Sequence, residues 1–162
     1  MVDFQFQEMF PQSAGDTPFR KLTDDGVSIG EYRGRRVLEV DREALTLLTA
    51  EAVRTISHLF RPGHLAQLRK ILAAPEATEN DRFVARTMLQ SACVSAGMVL
   101  PSCQDTGTAI VMGKKGQQVW THGGATADGE PGGDEAAIAR GVFRTYTETN
   151  LRYSQLAPPT MH

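Results

Sequence analysis

DREALTLLTAEAVRTISHLF, residues 41–60, carries the first strong periodic signal in this 162-residue chain. Leu45, Leu48, Ala52, Ile56 and Leu59 recur at three- and four-residue intervals, the spacing that lines one face of a helix. Asp41 stands just ahead of them, a residue type whose carboxylate accepts from the free amides of a first helical turn. The spacing predicts a helix from Asp41 to about residue 60, its apolar stripe turned into a core.

Two more helices follow. Pro62 sits where a first-turn proline belongs, and Leu65, Leu68, Ile71 and Leu72 mark a short helix that stops before Pro75. Thr78 with Asp81 three residues on has the form of a capping box. Phe83, Val84, Met88, Leu89 and Ala92 continue behind it as a third amphipathic helix, ending near Gly97, and these stripes are also expected in the core. Upstream, apolar positions between Val27 and Val40 surround Tyr32-Arg33-Gly34-Arg35, whose glycine permits a hairpin tip. Phe4, Phe6 and Phe10 are candidates to pack on the core, ahead of an irregular Pro11–Pro18 lead-in. Downstream, Ala109–Met112 and Val119-Trp120 flank the turn Gly113-Lys114-Lys115-Gly116 and predict a hairpin or a pair of neighbouring strands. A loop from His122 to Gly133 leads to a fourth helix, capped by Asp134 and running through Ile138, Val142 and Tyr146. The expected class is α+β: a helical region, a small sheet and a further helix.

Composition narrows the function. Apolar residues make up 41% and charged residues 22%, enough for a core and a soluble surface. Seventeen basic and nineteen acidic side chains give a net charge of -2, without the basic surplus of a dedicated nucleic-acid binder. No run approaches the ~18 apolar residues of a membrane span. The start MVDFQFQEMF lacks the basic and apolar regions of a secretory signal. Cys93 and Cys103 are too few for a disulfide framework, and a reducing, cytoplasmic compartment is expected.

The segment most suited to chemistry is Leu100-Pro101-Ser102-Cys103-Gln104-Asp105-Thr106-Gly107-Thr108. Pro101 ends the element before it, and a thiol, an amide and a carboxylate follow on consecutive residues. Side chains on such an irregular loop can converge on one small ligand. The plainer reading is a polar turn feeding a strand, with Cys103 as a small buried residue. Cys93 falls within the third helix, where a small side chain packs easily, and its spacing from Cys103 matches no zinc motif. Neither GxGxxG after a strand nor GxxxxGK[ST] occurs, so nucleotide binding lacks support. Lys114-Lys115 reads as a solvated pair. Arg152, closing the last helix, is either a surface residue facing the helix dipole or a bidentate partner for a carboxylate.

Taken together, the Leu100–Ile110 segment, Gly113-Lys-Lys-Gly-Gln, Gly133-Asp-Glu, Gly141-Val-Phe and Asn150-Leu-Arg-Tyr-Ser-Gln resemble the class I fumarases, the iron–sulfur fumarate hydratases. The resemblance runs over roughly residues 20–160, and the tartrate dehydratase large subunits share its architecture. It implies that residues 1–162 are an incomplete N-terminal part of an iron–sulfur hydro-lyase catalytic domain. The implied reaction of the longer protein is reversible hydration of fumarate to (S)-malate, with a homodimer as the working state. The resemblance also implies a [4Fe–4S] cluster held by three cysteines with one iron open to substrate. Cys103 matches the first of those ligands, Gln104 and Asp105 match residues lining the substrate site, and Arg152 matches an arginine that grips a substrate carboxylate.

The chain departs from the family's pattern in two respects. The other two cluster cysteines and a catalytic threonine base are expected further downstream, so no catalytic residue is assigned here and this chain alone is expected to be inactive. Cys93 matches neither missing ligand. The stretch from His122 to Gly132 is longer than the corresponding loop of familiar members. A tartrate or related hydroxy-acid dehydratase, and a non-catalytic stand-alone domain, are the alternatives.

Overall fold

Arg33 and Gly34 turn the chain back on itself, both with left-handed backbone (φ 50° and 74°). Two such residues between strands form the hairpin turn whose twist matches that of the strands it joins. Strand β1 (Val27–Tyr32) therefore pairs antiparallel with β2 (Arg35–Val40), from Tyr32 opposite Arg35 to Val27 opposite Val40. The expected hairpin thus forms at the expected tip. These observations come from a computed structural model that describes residues 4–8, 19–103, 108–121, 129, 132–149 and 151.

The second expected hairpin does not form. Residues 108–112 join no strand, and Ile110, Val111 and Met112 are exposed. Only β3 (Val119–Thr121) enters the sheet, parallel to β2, with Leu38 opposite Val119, giving the order β1-β2-β3. This pairing satisfies the backbone of β2 on the side away from β1, beginning with the 2.8 Å bond from the Leu38 amide to the Gln118 carbonyl. Parallel strands need a long crossover; here three helices lie between β2 and β3.

Those helices are α1 (Arg42–His58), α2 (Pro62–Ala73) and α3 (Glu79–Ser95); α4 (Gly133–Glu148) follows β3. Pro62 opens α2 as expected. The capping box of α3 is complete: the Asp81 amide donates to the Thr78 hydroxyl, and the Thr78 amide donates to the Asp81 carboxylate. Asp41 occupies the N-cap position of α1 without a side-chain capping bond. Asp134 does not cap α4; the cap is Gly132, and Asp134 lies inside the first turn. Its carboxylate is drawn instead to Lys115 and Thr121.

The apolar stripes are where the expectation fails most clearly. Leu48 (53%), Ile56 (73%) and Leu59 are exposed, whereas Thr46, Thr49, Ala50 and His58 form the buried face of α1. That face meets α4 with the two helices running in the same direction, Thr46 opposite Ala137 and Ala50 opposite Thr145. Thr46 donates its hydroxyl to the Ala137 carbonyl and Thr145 donates to the Ala50 carbonyl, both at 3.0 Å. Gly141 makes this approach possible, since any Cβ there would run into Thr46 and Thr49. Small residues let the backbones meet, and large apolar side chains are left on the other face. On α3 the expected stripe is split: Ala92 is buried as expected, beside Ala85 and Ser95, while Phe83, Val84 and Met88 are exposed.

The larger buried apolar residues are Val37 on the sheet, Leu68 on α2, Val142 on α4 and Leu151 beyond it. Phe4 and Phe6 are exposed rather than packed on the core, and Phe10 lies outside the described residues. No described helix is long and apolar enough to cross a membrane.

Candidate functional site around Cys103

The carboxyl ends of α1 and α3 meet beside the segment that carries Cys103. The last carbonyls of any helix lack intrahelical partners and must find others. Ser95, at the end of α3 and buried to 1% exposure, donates its hydroxyl to the His58 carbonyl at 2.8 Å, with the Ala92 carbonyl at 3.1 Å. The preceding carbonyl of α1, Ser57, accepts twice from Ser102: from its amide at 2.8 Å and its hydroxyl at 3.0 Å. Ser91, one turn before Ser95 on α3, reaches the Ser102 carbonyl at 3.5 Å. Ser102 therefore has its amide, hydroxyl and carbonyl all engaged by two helices.

His58 closes this junction from within. Its ring is completely buried, and Nδ1 lies 2.8 Å from the Arg54 carbonyl. A carbonyl only accepts, so Nδ1 is the nitrogen that carries the hydrogen. Nε2 is buried without a partner among the described residues.

Cys103 follows directly on Ser102. Its thiol is free and exposed, which excludes the reading of Cys103 as a small buried residue. Cys93 is also free and exposed; the packing expected of it falls to its neighbours Ala92 and Ser95. Gln104, Asp105 and Arg152 lie outside the described residues, as does nearly all of the His122–Gly132 loop. Leu151, the residue before Arg152, is buried. The structure thus describes one of the four residues singled out in the sequence.

A second polar cluster joins the Gly113–Gly116 turn to α4. Lys115 is not merely solvated: its ammonium donates to Asp134 at 2.6 Å and to the Thr121 hydroxyl at 3.1 Å. The Thr121 hydroxyl also donates to Asp134. Hydrogen bonds from Lys115 first, then Thr121, hold the Asp134 carboxyl below its ordinary pKa of 3.8. Lys114 pairs with Glu8. Both lysines are thus engaged by carboxylates.

Two concavities lie elsewhere. A groove of about 570 Å³ between α2 and α3 is lined by Leu68, Ile71, Val84 and Met88 among others. Another of about 510 Å³ runs beside the sheet between Ile29 and Val119. Neither includes Cys103 or Ser102.

The sequence reading missed the serines. Ser91 and Ser95 stand four residues apart on α3, ahead of Ser102. That spacing is a weak signal, because helical serines also bond back to their own turn or face water.

The family described as "Fumarate hydratase (Fumerase)" matches residues 46–162. "Fumarate hydratase class I, aerobic" of Escherichia coli K12 is 50% identical over 98% of this chain, and the anaerobic class I enzyme of the same strain 46% over 98%. "Fumarate hydratase 2" of Leishmania major is 43% identical over 96%. In each case the chain spans about a quarter (27%) of the relative's length. The chain belongs to the fumarate hydratase family. Within it, the similarity is to an N-terminal portion of the class I members.

Class I relatives imply an iron–sulfur cluster, and the donor chemistry here fits part of one. A thiolate is the usual cluster ligand, and Cys103 offers a free, accessible thiol on an anchored segment. Among the described residues, no three or more His, Cys, Asp or Glu side chains are grouped to hold a metal ion. The described residues fit one corner of such a group.

Proposed function

We propose that residues 1–162 form the N-terminal part of the catalytic domain of a hydro-lyase that hydrates fumarate reversibly to (S)-malate in the cytoplasm. The observation that carries the reading is the free, exposed Cys103 thiol, presented by a backbone that two helix ends hold in place. It stands within the Leu100–Ile110 segment, part of the resemblance to class I fumarases. The free state of both cysteines suits a reducing compartment.

In this reading Cys103 is one of three thiolate ligands of a [4Fe–4S] cluster, the other two coming from elsewhere in the longer protein. When bound, the cluster would supply Lewis-acid chemistry toward the substrate. Gln104 and Asp105, next along the chain, orient substrate groups beside that position. Arg152 receives a substrate carboxylate with two parallel donors and stays protonated throughout. A dianion leaving water needs such a partner. The catalytic base belongs to the part of the protein beyond this chain, and the working enzyme is a homodimer.

The test is anaerobic cluster reconstitution of the full-length protein, followed by fumarate hydration normalised to cluster content. Arg152→Lys is expected to weaken kcat/KM and Arg152→Ala to weaken it by about 30-fold to several thousandfold, with cluster content unchanged. Near-parental kcat/KM in Arg152→Ala removes Arg152 from the site, and turnover of tartrate in preference to fumarate replaces the substrate. The 162-residue chain alone is expected to be inactive and to retain no stable cluster. A stoichiometric, oxygen-sensitive brown cluster on one such chain overturns that expectation.

A further inference from the structure

We infer that Ser102 is the positioning residue for Cys103, fastening the cluster-ligand backbone to the ends of α1 and α3; the inference rests on the proposed ligand role of Cys103. The direction in which a cysteine offers its sulfur is set by its Cα and by the peptide plane before it. That plane contains the Ser102 carbonyl, approached by the Ser91 hydroxyl at 3.5 Å. One residue back, the Ser102 amide and hydroxyl both donate to the Ser57 carbonyl, at 2.8 and 3.0 Å. Ser102 is thus tied to α1 by its amide and hydroxyl, and the peptide it shares with Cys103 is met more loosely from α3.

The mount is itself cross-tied. Ser57 and the buried His58 form the last turn of α1, and Ser95 ties that turn to α3 through the His58 carbonyl. Pro101 just ahead of Ser102 fixes one further backbone angle. Ordering the ligand backbone before the metal arrives removes that entropic cost from cluster capture, as outer hydrogen bonds do at metal sites in general. The serine hydroxyl is the replaceable part of the clamp, because alanine keeps the amide bond and loses only the second donor.

The test uses the full-length protein with Ser102→Ala, Ser102→Thr and Ser91→Ala, compared with the parent by two readouts. In the cluster-free protein, amide hydrogen exchange across the peptide containing Ser102 and Cys103 is expected to rise about 2- to 10-fold in Ser102→Ala. Ser102→Thr, which keeps the hydroxyl, is expected to restore the parental rate. After reconstitution, iron release to a chelator is expected to be about 10- to 100-fold faster in Ser102→Ala, with an altered electron paramagnetic resonance spectrum of the dithionite-reduced cluster and the same rescue by threonine. Ser91→Ala shifts both readouts in the same direction by less, and it decides the matter if Ser102→Ala does not fold.

Unchanged exchange in Ser102→Ala overturns the clamp. Faster exchange with parental iron release and spectrum overturns the positioning role, leaving a purely structural contact. A parent protein that takes up no cluster overturns the proposed function, and with it any role toward a ligand, while exchange still shows whether the clamp exists.

Discussion

Gly141 of α4 lies against Thr49 of α1 so closely that a Cβ on the glycine would stand 2.6 Å from the Thr49 Cβ and equally near the Thr46 carbonyl oxygen. The backbone of α1 cannot give way without moving the helix. Gly141→Ala is therefore expected to destabilise the protein by about 1–3 kcal/mol, even though alanine is the better helix former. Parting the helices also stretches the bonds from Thr46 to Ala137 and from Thr145 to Ala50. Chemical denaturation of parent and variant measures the difference; a variant as stable as the parent contradicts the close approach.

Ser95 offers a second test of the junction. It is buried and donates to the His58 carbonyl, so Ser95→Ala leaves that carbonyl without its side-chain partner. The expected loss is about 1–3 kcal/mol. Urea unfolding followed by circular dichroism measures it, and a change below ~0.5 kcal/mol means that water replaces the hydroxyl without cost.

Two leucines separate the buried from the exposed apolar surface. Leu68 on α2 is buried, and Leu68→Ala is expected to cost about 2–5 kcal/mol through lost contacts and the cavity left behind. Leu48 on α1 is half exposed, and Leu48→Ala in this 162-residue chain is expected to stay within about 0.5 kcal/mol. Equal costs at the two positions would place Leu48 in a core that the structure does not give it.

Asp134 carries a pH dependence of known sign. Lys115 and Thr121 hold its folded-state pKa below the ordinary 3.8, so its contribution to stability is fully present at neutral pH. It declines as the pH drops below 3.8 and is lost as the pH passes through the depressed folded-state value. Asp134→Asn is therefore expected to be less stable than the parent at neutral pH, and the gap is expected to close in strong acid. Denaturation midpoints across an acid series check this; a gap that widens toward low pH has the wrong sign.

Local signals were legible wherever a short stretch decides its own geometry. Gly34 marks a hairpin tip because glycine accepts a left-handed backbone freely, whereas the left-handed Arg33 beside it emerges only in the fold. Pro62 marks one helix start because it has no amide hydrogen for the first turn to leave unpaired, and the Thr78–Asp81 pair marks another because first-turn amides need partners near in sequence. The Cys103 segment stands out in the sequence for a similar reason: a thiol, an amide and a carboxylate are consecutive there.

Local sequence thus accounts for the order and rough extent of the helices and for the first hairpin. Tertiary structure alone decided which faces are buried. Leu48 and Ile56 promised the core face of α1 by hydrophobicity, but Thr46, Thr49 and Ala50 took it, because a glycine on α4 some ninety residues away permits close backbone approach. Tertiary structure also decided that β3 pairs with β2 and not with residues 108–112, and that Ser57, Ser91 and Ser102 meet beside Cys103. These are contacts between segments distant in sequence, whose partners no local periodicity can name.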